Sequence, residues 1–409
     1  MATPTTPNPP KTVAIIGSGW SGCHTALELS STTTTSSPKR YTVTILEKAP
    51  AIFASVSGQF GIRIHRGPHY PRSSGTRESC RRSFDRFTEQ YRDLVVPVDP
   101  AVYSLARECS TADVGEFVRG GKSALSEVEC AFKLDEPCAF LNPYLRAYFW
   151  GTLRGAGVRV ELGVEVVSVR RVGDGTGRQC VVTKDGSQRF YDAVINATGY
   201  TSALPDGLLS NLPIKADIRY QACIALHYRD TKIPTDPSVK PLSFIVMDGW
   251  FPCLMPSVGE PGSRGEYVLT HGAYTILGSF HTPAMASQCL TNLTTTPAIM
   301  ECEIKPKIES EMERFWPGFT DQFVYQGWKG SVLPKMVTDT EYRSSITSDE
   351  VLALLDQDGG QRNVTRHAGY AYASDSELNR SRGEIEQRPV AKERNTCFLQ
   401  TQQSLALSV

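Results

Sequence analysis

The chain has 409 residues, 43 Lys+Arg against 43 Asp+Glu, and 40% hydrophobic residues. The even charge excludes a strongly basic nucleic-acid binder and an acidic disordered tail, and at roughly 100–200 residues per domain the length predicts two units or one large α/β body. No run approaches the ~20 apolar residues of a membrane span, and the start, MATPTTPNPPK, lacks the basic and apolar stretches of a secretory leader, so a cytoplasmic protein is expected, with neither membrane nor nucleic acid as partner.

Residues 1–10 are a Thr/Pro-rich tail with nothing to bury, predicted to be disordered. Residues 12–16 (TVAII) are an apolar run of strand length that Gly17 ends. A helix-competent stretch follows over 20–30, then a low-complexity surface loop over 30–38 (SSTTTTSSP) and a second strand over 41–46. Strand, helix and strand make a βαβ unit. Over 76–95, Phe84, Phe87, Tyr91 and Leu94 recur at helical spacing, with Thr76 placed as N-cap and Glu78 against the helix dipole. The arginines of this helix (77, 81, 82, 86 and 92) alternate with Glu78, Asp85 and Glu89 and read as a solvated face.

Asn142-Pro143 predicts the start of another helix, a cap followed by proline, carrying Leu145, Phe149 and Leu153. Short strands follow at 158–162, 164–172, 179–184 and 188–191, and then the apolar 193–195 runs into Asn196-Ala-Thr-Gly199. Longer, antiparallel-looking strands at 218–228, 242–247, 267–271 and 274–280 come next, followed by a helix with Met300, Ile304, Ile308, Met312 and Phe315. The expected organisation is a first domain over 11–213 with a helical insertion at 76–155, and a second domain over 214–345 built on an antiparallel sheet. A weakly patterned segment over 346–409 completes the chain. The 11 cysteines form no Cys-x-x-Cys pair and no zinc-spaced cluster, so they read as reduced thiols and no metal is expected.

Gly17-Ser-Gly19-Trp-Ser-Gly22 is a G-x-G-x-x-G placed between a strand and a helix. Gly17 permits the tight turn, Gly19 lets the backbone approach a pyrophosphate, and Gly22 lets helix and strand pack closely, while the free N–H groups at the helix start face the phosphate charge. Glu47 ends the second strand, where its carboxylate can accept hydrogen bonds from ribose hydroxyls. The 30–38 loop accounts for the long spacing between Gly22 and Glu47. Trp20, Ser21 and Lys48 flank these positions and join the candidate cofactor contacts.

The glycines at the N-terminus, the run of short strands and the A-T-G turn at 197–199 together resemble the glutathione-reductase-like FAD oxidoreductases. The resemblance implies a Rossmann-type α/β FAD-binding domain with a β-meander, plus an α+β substrate domain. It implies that Glu47 binds the adenosine ribose, that the Val166 backbone meets adenine, and that Thr198 and Gly199 close the last parallel strand. Residues 53–72 (FASVSGQFGIRIHRGPHYPR) resemble one branch, the D-amino-acid-oxidase-like superfamily, and a group of bacterial FAD-dependent oxidoreductases. There a loop of small residues, here Ser55, Ser57, Gly58 and Gln59, lies against the flavin. The resemblance covers roughly residues 11–340. The branch's glycine-containing flavin loop near the C-terminus has only a weak counterpart at 359–372.

In Phe60-Gly-Ile-Arg-Ile-His65, strand alternation puts Arg63 and His65 on one face. Arg63 or Arg72 could clamp a carboxylate, and His65, His69 or Tyr70 could exchange a proton. The expected function is an FAD-dependent oxidase or dehydrogenase that takes a hydride from a small molecule, such as an amine or amino-acid-like metabolite. A flavin monooxygenase is the main alternative. No second dinucleotide fingerprint serves a nicotinamide, and the Gly-Asp-Ala motif shared by many hydroxylases is absent. A non-redox mutase or isomerase and an inactive FAD-fold protein are the others. Nothing in these motifs specifies an oligomeric state.

Overall fold

Parallel strands covered on both faces read as continuous apolar runs, and the first strand has that character. β1 (Lys11–Ile16) lies between β2 (Tyr41–Glu47) and the strand Ala193–Asn196, all parallel, with Val13 beside both Val43 and Ala193. Arg159–Leu162 adds a fourth parallel strand beyond β2. The crossover helix α1 (Trp20–Ser31) buries Cys23 and Ala26. α2 (Ser74–Gln90) and α3 (Tyr144–Gly155) join the same core through Phe84, Leu145, Phe149 and Leu153. The computed structural model describes residues 9–31, 40–60, 62–68, 74–108, 121–122, 127–173, 175–199, 216–233, 238–247 and 250–338.

Of the four short strands expected after α3, the first belongs to the parallel sheet. The other three, Val166–Arg171, Gln179–Thr183 and Gln188–Tyr191, form an antiparallel meander. Gly163 donates to the Ala49 carbonyl at 3.1 Å and Val164 to the Glu47 carbonyl at 2.8 Å, which ties the meander's entry to the end of β2.

The second sheet has nine strands. Ala216–Asp230 pairs antiparallel with Phe323–Thr338 on one side and with Ile276–Phe280 and Glu266–His271 on the other. Its alternate residues Ala222, Ile224, Leu226 and Tyr228 pack into one core with Leu293, Ile308, Met312 and Phe315 from the helices Pro283–Thr295 and Lys305–Phe315. The intervening residues Cys223, Ala225 and His227 therefore lie on the opposite face.

Helical periodicity holds only at the two ends of the expected insertion. Between them, Ala101–Ala106 and Val128–Leu134 are strands of the second sheet, and Ala101–Ala106 runs parallel to Ser243–Met247. Pairing partners so distant in sequence leave no local trace. The helix Pro283–Thr295 was also unforeseen, although its start signal is local: Thr282 accepts from the Met285 N–H and Pro283 fills the first turn. Ile62–Arg63, Cys138–Ala139 and Val95–Val96 form a small antiparallel sheet. The 346–409 segment, with the 359–372 stretch, lies outside the described residues.

Candidate active site

The glycine turn has the form the fingerprint requires. Gly17 sits at φ +100°, and a Cβ there would lie 2.6 Å from the Ala197 carbonyl oxygen. A Cβ at Gly22 would lie 2.0 Å from the Gly17 oxygen, so helix and turn touch backbone to backbone. At Gly19 the only atoms among the described residues that such a Cβ would meet within 4 Å belong to Ser57, with Oγ at 3.1 Å. α1 begins at Trp20, directly behind this opening. The cradle fits a pyrophosphate: glycine-lined space in front of a helix start, with N–H groups free of intrahelical bonds.

Glu47 is fixed from three donors. Its Oε2 accepts from the Ser18 N–H at 2.9 Å and the Ser18 hydroxyl at 2.6 Å, and its Oε1 accepts from the Ala49 N–H at 2.8 Å. Oε2 is thereby filled by Ser18, and Oε1 keeps lone-pair capacity for a ribose hydroxyl. Ser18 is a site residue that the fingerprint masked, because it occupies one of the variable positions. The neighbouring Cys23 thiol is pushed up by burial and by the Glu47 charge, so it stays protonated.

Other expected contacts fall into separate places. The Trp20 indole packs among Phe53, Phe87, Tyr91 and Phe149, with ring centroids 5.0–5.8 Å away, so only its backbone faces the turn. Ser21 is half-buried in the first turn of α1. Val166 opposes Thr183 just before a bulge. The Thr198 hydroxyl and N–H both donate to Asn196 Oδ1, at 2.7 and 3.1 Å, and Gly199 adopts φ +66°.

The loop after β2 is held from beneath. Asn142 does not cap α3 with its side chain; its Nδ2 donates to the Phe53 carbonyl at 2.8 Å, and its backbone N–H donates to the Gly58 carbonyl at 3.1 Å. Arg146 Nε donates to the Ile52 carbonyl at 2.9 Å. Gly58 leaves no room for a side chain, since a Cβ would lie 2.3 Å from Asn142 Nδ2. Phe53, a non-glycine residue at φ +53°, shows that this packing over-determines the backbone. Gln59 donates its amide to the Ala54 carbonyl.

A cleft of about 340 Å³ joins these pieces. Gly19, Glu47 and Lys48 line one part, Ser57, Gln59 and Phe60 the next, and Leu290, Ser331 and Val332 of the second unit the far wall. The far-wall residues carried no motif and were not legible in the sequence.

Arg63 and His65 are not among the residues lining that cleft; both are half-buried, with Arg63 Nε and His65 Nδ1 turned inside. The Arg63 guanidinium lies 5.3 Å over the Tyr103 ring, with Nη1 3.9 Å from Cys253 Sγ. Glu136, only 3% exposed, accepts from the Tyr103 hydroxyl at 2.5 Å and the Arg66 N–H at 2.8 Å. Burial raises the Glu136 carboxyl above its ordinary value, against the pull of those hydrogen bonds and of both arginines. Burial and the Arg63 charge push His65 down to about 3, so its ring is neutral at ordinary pH. His69, Tyr70 and Arg72 lie outside the described residues. Arg81, Arg82, Arg86 and Arg92 are exposed, Arg81 pairing with Glu78 at 3.0 Å, whereas Arg77 is half-buried against Gly67. No group of three or more potential metal ligands, and no helix long and apolar enough to span a membrane, occurs among the described residues.

The sequence model of the DAO family, described as FAD dependent oxidoreductase, matches residues 12–370. The chain is 39% identical to the FAD-dependent monooxygenase kojA of Aspergillus flavus, over 96% of this chain and 97% of that protein. It is 28% identical to the FAD-dependent monooxygenase FPY4 of Fusarium mangiferae, over 82% and 83% respectively. The crystal structure of L-proline dehydrogenase from P. horikoshii aligns with a TM-score of 0.53 at 16% identity, covering 82% of this chain and 83% of that one, a likeness of fold.

Proposed function

Since the chain belongs to the DAO family of FAD-dependent oxidoreductases, we propose that it oxidises a small molecule held where the cleft reaches the second sheet. The continuity of that cleft, from Gly19 and Glu47 past Ser57 and Gln59 to Ser331, carries the reading. Gly17, Gly19 and Gly22 with the start of α1 hold the pyrophosphate, and Glu47, braced by Ser18, takes the ribose hydroxyls. The Val166 backbone, Thr198 and Gly199 border the adenosine and the inner edge of the cofactor, and Lys48 adds a positive charge at the rim. FAD, when bound, supplies the hydride acceptor.

The protein's part is to orient the substrate and keep water out. The loop clamped by Asn142 and Arg146 gives the cofactor ring a rigid wall. Arg63, fixed over Tyr103, is a cation for a substrate carboxylate or phosphate, and His65 is a neutral hydrogen-bonding group beside it. Arg63→Ala and His65→Ala should lower turnover roughly ten- to a hundredfold while flavin content stays near wild type. Normal turnover in both variants would remove these residues from the mechanism.

A monooxygenase is the second reading, favoured by the names of the two relatives above. It requires a nicotinamide to reduce the flavin, and that requirement separates the two.

A further inference from the structure

The face of the nine-stranded sheet turned away from the helices carries Lys329, which is exposed, and His227, which is half-buried. Lys329 pairs with Ala225, and His227 lies two residues along the same strand on the same side. This diagonal places the two side chains within reach of each other. Ser331, next on that side after Lys329, lines the cleft. The row continues across the sheet: Leu226 pairs with Leu269, which sets Ala225 beside Thr270, and Thr270 pairs with Cys253, the residue that meets Arg63. Three strand spacings of about 4.8 Å put the Lys329 position ~14 Å from the Arg63 end of the row.

No carboxylate among the described residues lies in ion-pair distance of Lys329. The nearest acid on that side of the adjoining strands, Glu266, is engaged by Arg229 at 2.8 Å. The carboxylates closer to the cleft are also occupied, Glu47 by Ser18 and Ala49, and Glu136 by Tyr103 and Arg66. The groups facing His227 are Lys329, the Arg229–Glu266 pair, Val268 across the strand and Met255 beyond it. His227 Nε2 is buried and has no hydrogen-bond partner. Burial, then the Lys329 charge, lowers the imidazole to about 4, so its ring is neutral, and burial lowers the Lys329 amine as well.

Resting on the reading of the cleft as the substrate site, we infer that Lys329 and His227 form a subsite for an anionic oxygen group of the substrate. A carboxylate, phosphate or enolate gains a charge-assisted bond from Lys329 and a neutral bond from His227. A cationic amine meets the Lys329 charge at this subsite and is repelled.

The test uses the full chain loaded with FAD, titrated anaerobically with acetate, inorganic phosphate and methylammonium at constant ionic strength, reading the flavin absorption band. Acetate or phosphate should give a saturable shift, and methylammonium none. Lys329→Met should weaken that anion roughly ten- to a hundredfold, with Lys329→Arg close to wild type and flavin content unchanged in both. Independently, the His227 ring should titrate near 4 by NMR and move upward in Lys329→Met, a shift that a lysine remote from the ring would not cause, and saturating acetate or phosphate should move it upward in the wild type but not in Lys329→Met. A shift with methylammonium alone, no saturable shift with either anion, anion binding indifferent to Lys329, or an unmoved His227 titration overturns the inference. Failure of the chain to hold FAD would instead overturn the reading of the cleft.

Discussion

Replacing Gly19 by alanine separates the cofactor cradle from the fold that builds it. Among the described residues the new methyl would meet only Ser57, with Oγ at 3.1 Å and Cβ at 3.9 Å, and a hydroxyl rotor can give the few tenths of an ångström required. The apo-protein should therefore melt close to wild type. The same methyl occupies the space through which a pyrophosphate reaches the N–H groups behind it, where hydrogen bonds tolerate only about 2.7–3.2 Å. Loss of one charge-assisted bond costs about 1.5–3 kcal/mol, roughly ten- to a hundredfold in FAD affinity, and loss of two compounds the effect. Gly22→Ala is the contrasting variant: its methyl would sit 2.0 Å from a backbone oxygen that cannot rotate away, so it should destabilise the apo-fold itself, by about 1–3 kcal/mol or more. Apo-protein melting curves and FAD titration by quenching of flavin fluorescence would measure both. Wild-type FAD affinity in Gly19→Ala, or a melting loss as large as that of Gly22→Ala, would refute the reasoning.

Asn142→Ala removes the bond to the Phe53 carbonyl and should loosen the loop through Ser57, costing about 1–3 kcal/mol, read as faster FAD release in stopped-flow displacement. Acid should destabilise the chain through its buried histidines. His65 stays neutral to about 3 and His227 to about 4 in the folded chain, whereas the unfolded chain protonates both near 6.5. The unfolded state thus binds more protons as pH falls from 6.5 towards 4, and stability drops over that window, by at most about 1.4 kcal/mol per pH unit for each group. His65→Asn should flatten that slope in urea titrations at several pH values, and an unchanged slope would show that His65 titrates normally.

What the sequence reveals depends on how local each signal is. The βαβ unit, its glycines and Glu47 lie within one short segment, and Gly17 and Gly22 each answer to a backbone contact that excludes a side chain. The expected strand after α3 and the β-branched runs of the second unit appear within a residue or two of their structural bounds. Ala101–Ala106 did not, because both its pairing partners, Val128–Leu134 and Ser243–Met247, lie outside its local sequence. The same holds for the site. Ser18 sits in a variable position of the fingerprint, Asn142 looks like a helix cap but spends its amide on Phe53, and Glu136 has no motif at all. Arg63 and His65 read as one polar face of a strand, yet only Ile62–Arg63 is strand; Arg63 turns over Tyr103, and His65 sits within reach of the Arg63 charge.

The reading of this chain as an enzyme that draws its electrons from a bound substrate, and not from a nicotinamide, is tested most directly by anaerobic stopped-flow. The flavin band of the purified, FAD-loaded protein is followed after mixing with NADPH. The account predicts that the oxidised band persists, in keeping with a chain that carries a single dinucleotide fingerprint at Gly17–Gly22. Rapid bleaching by NADPH would contradict it and establish the monooxygenase reading in its place.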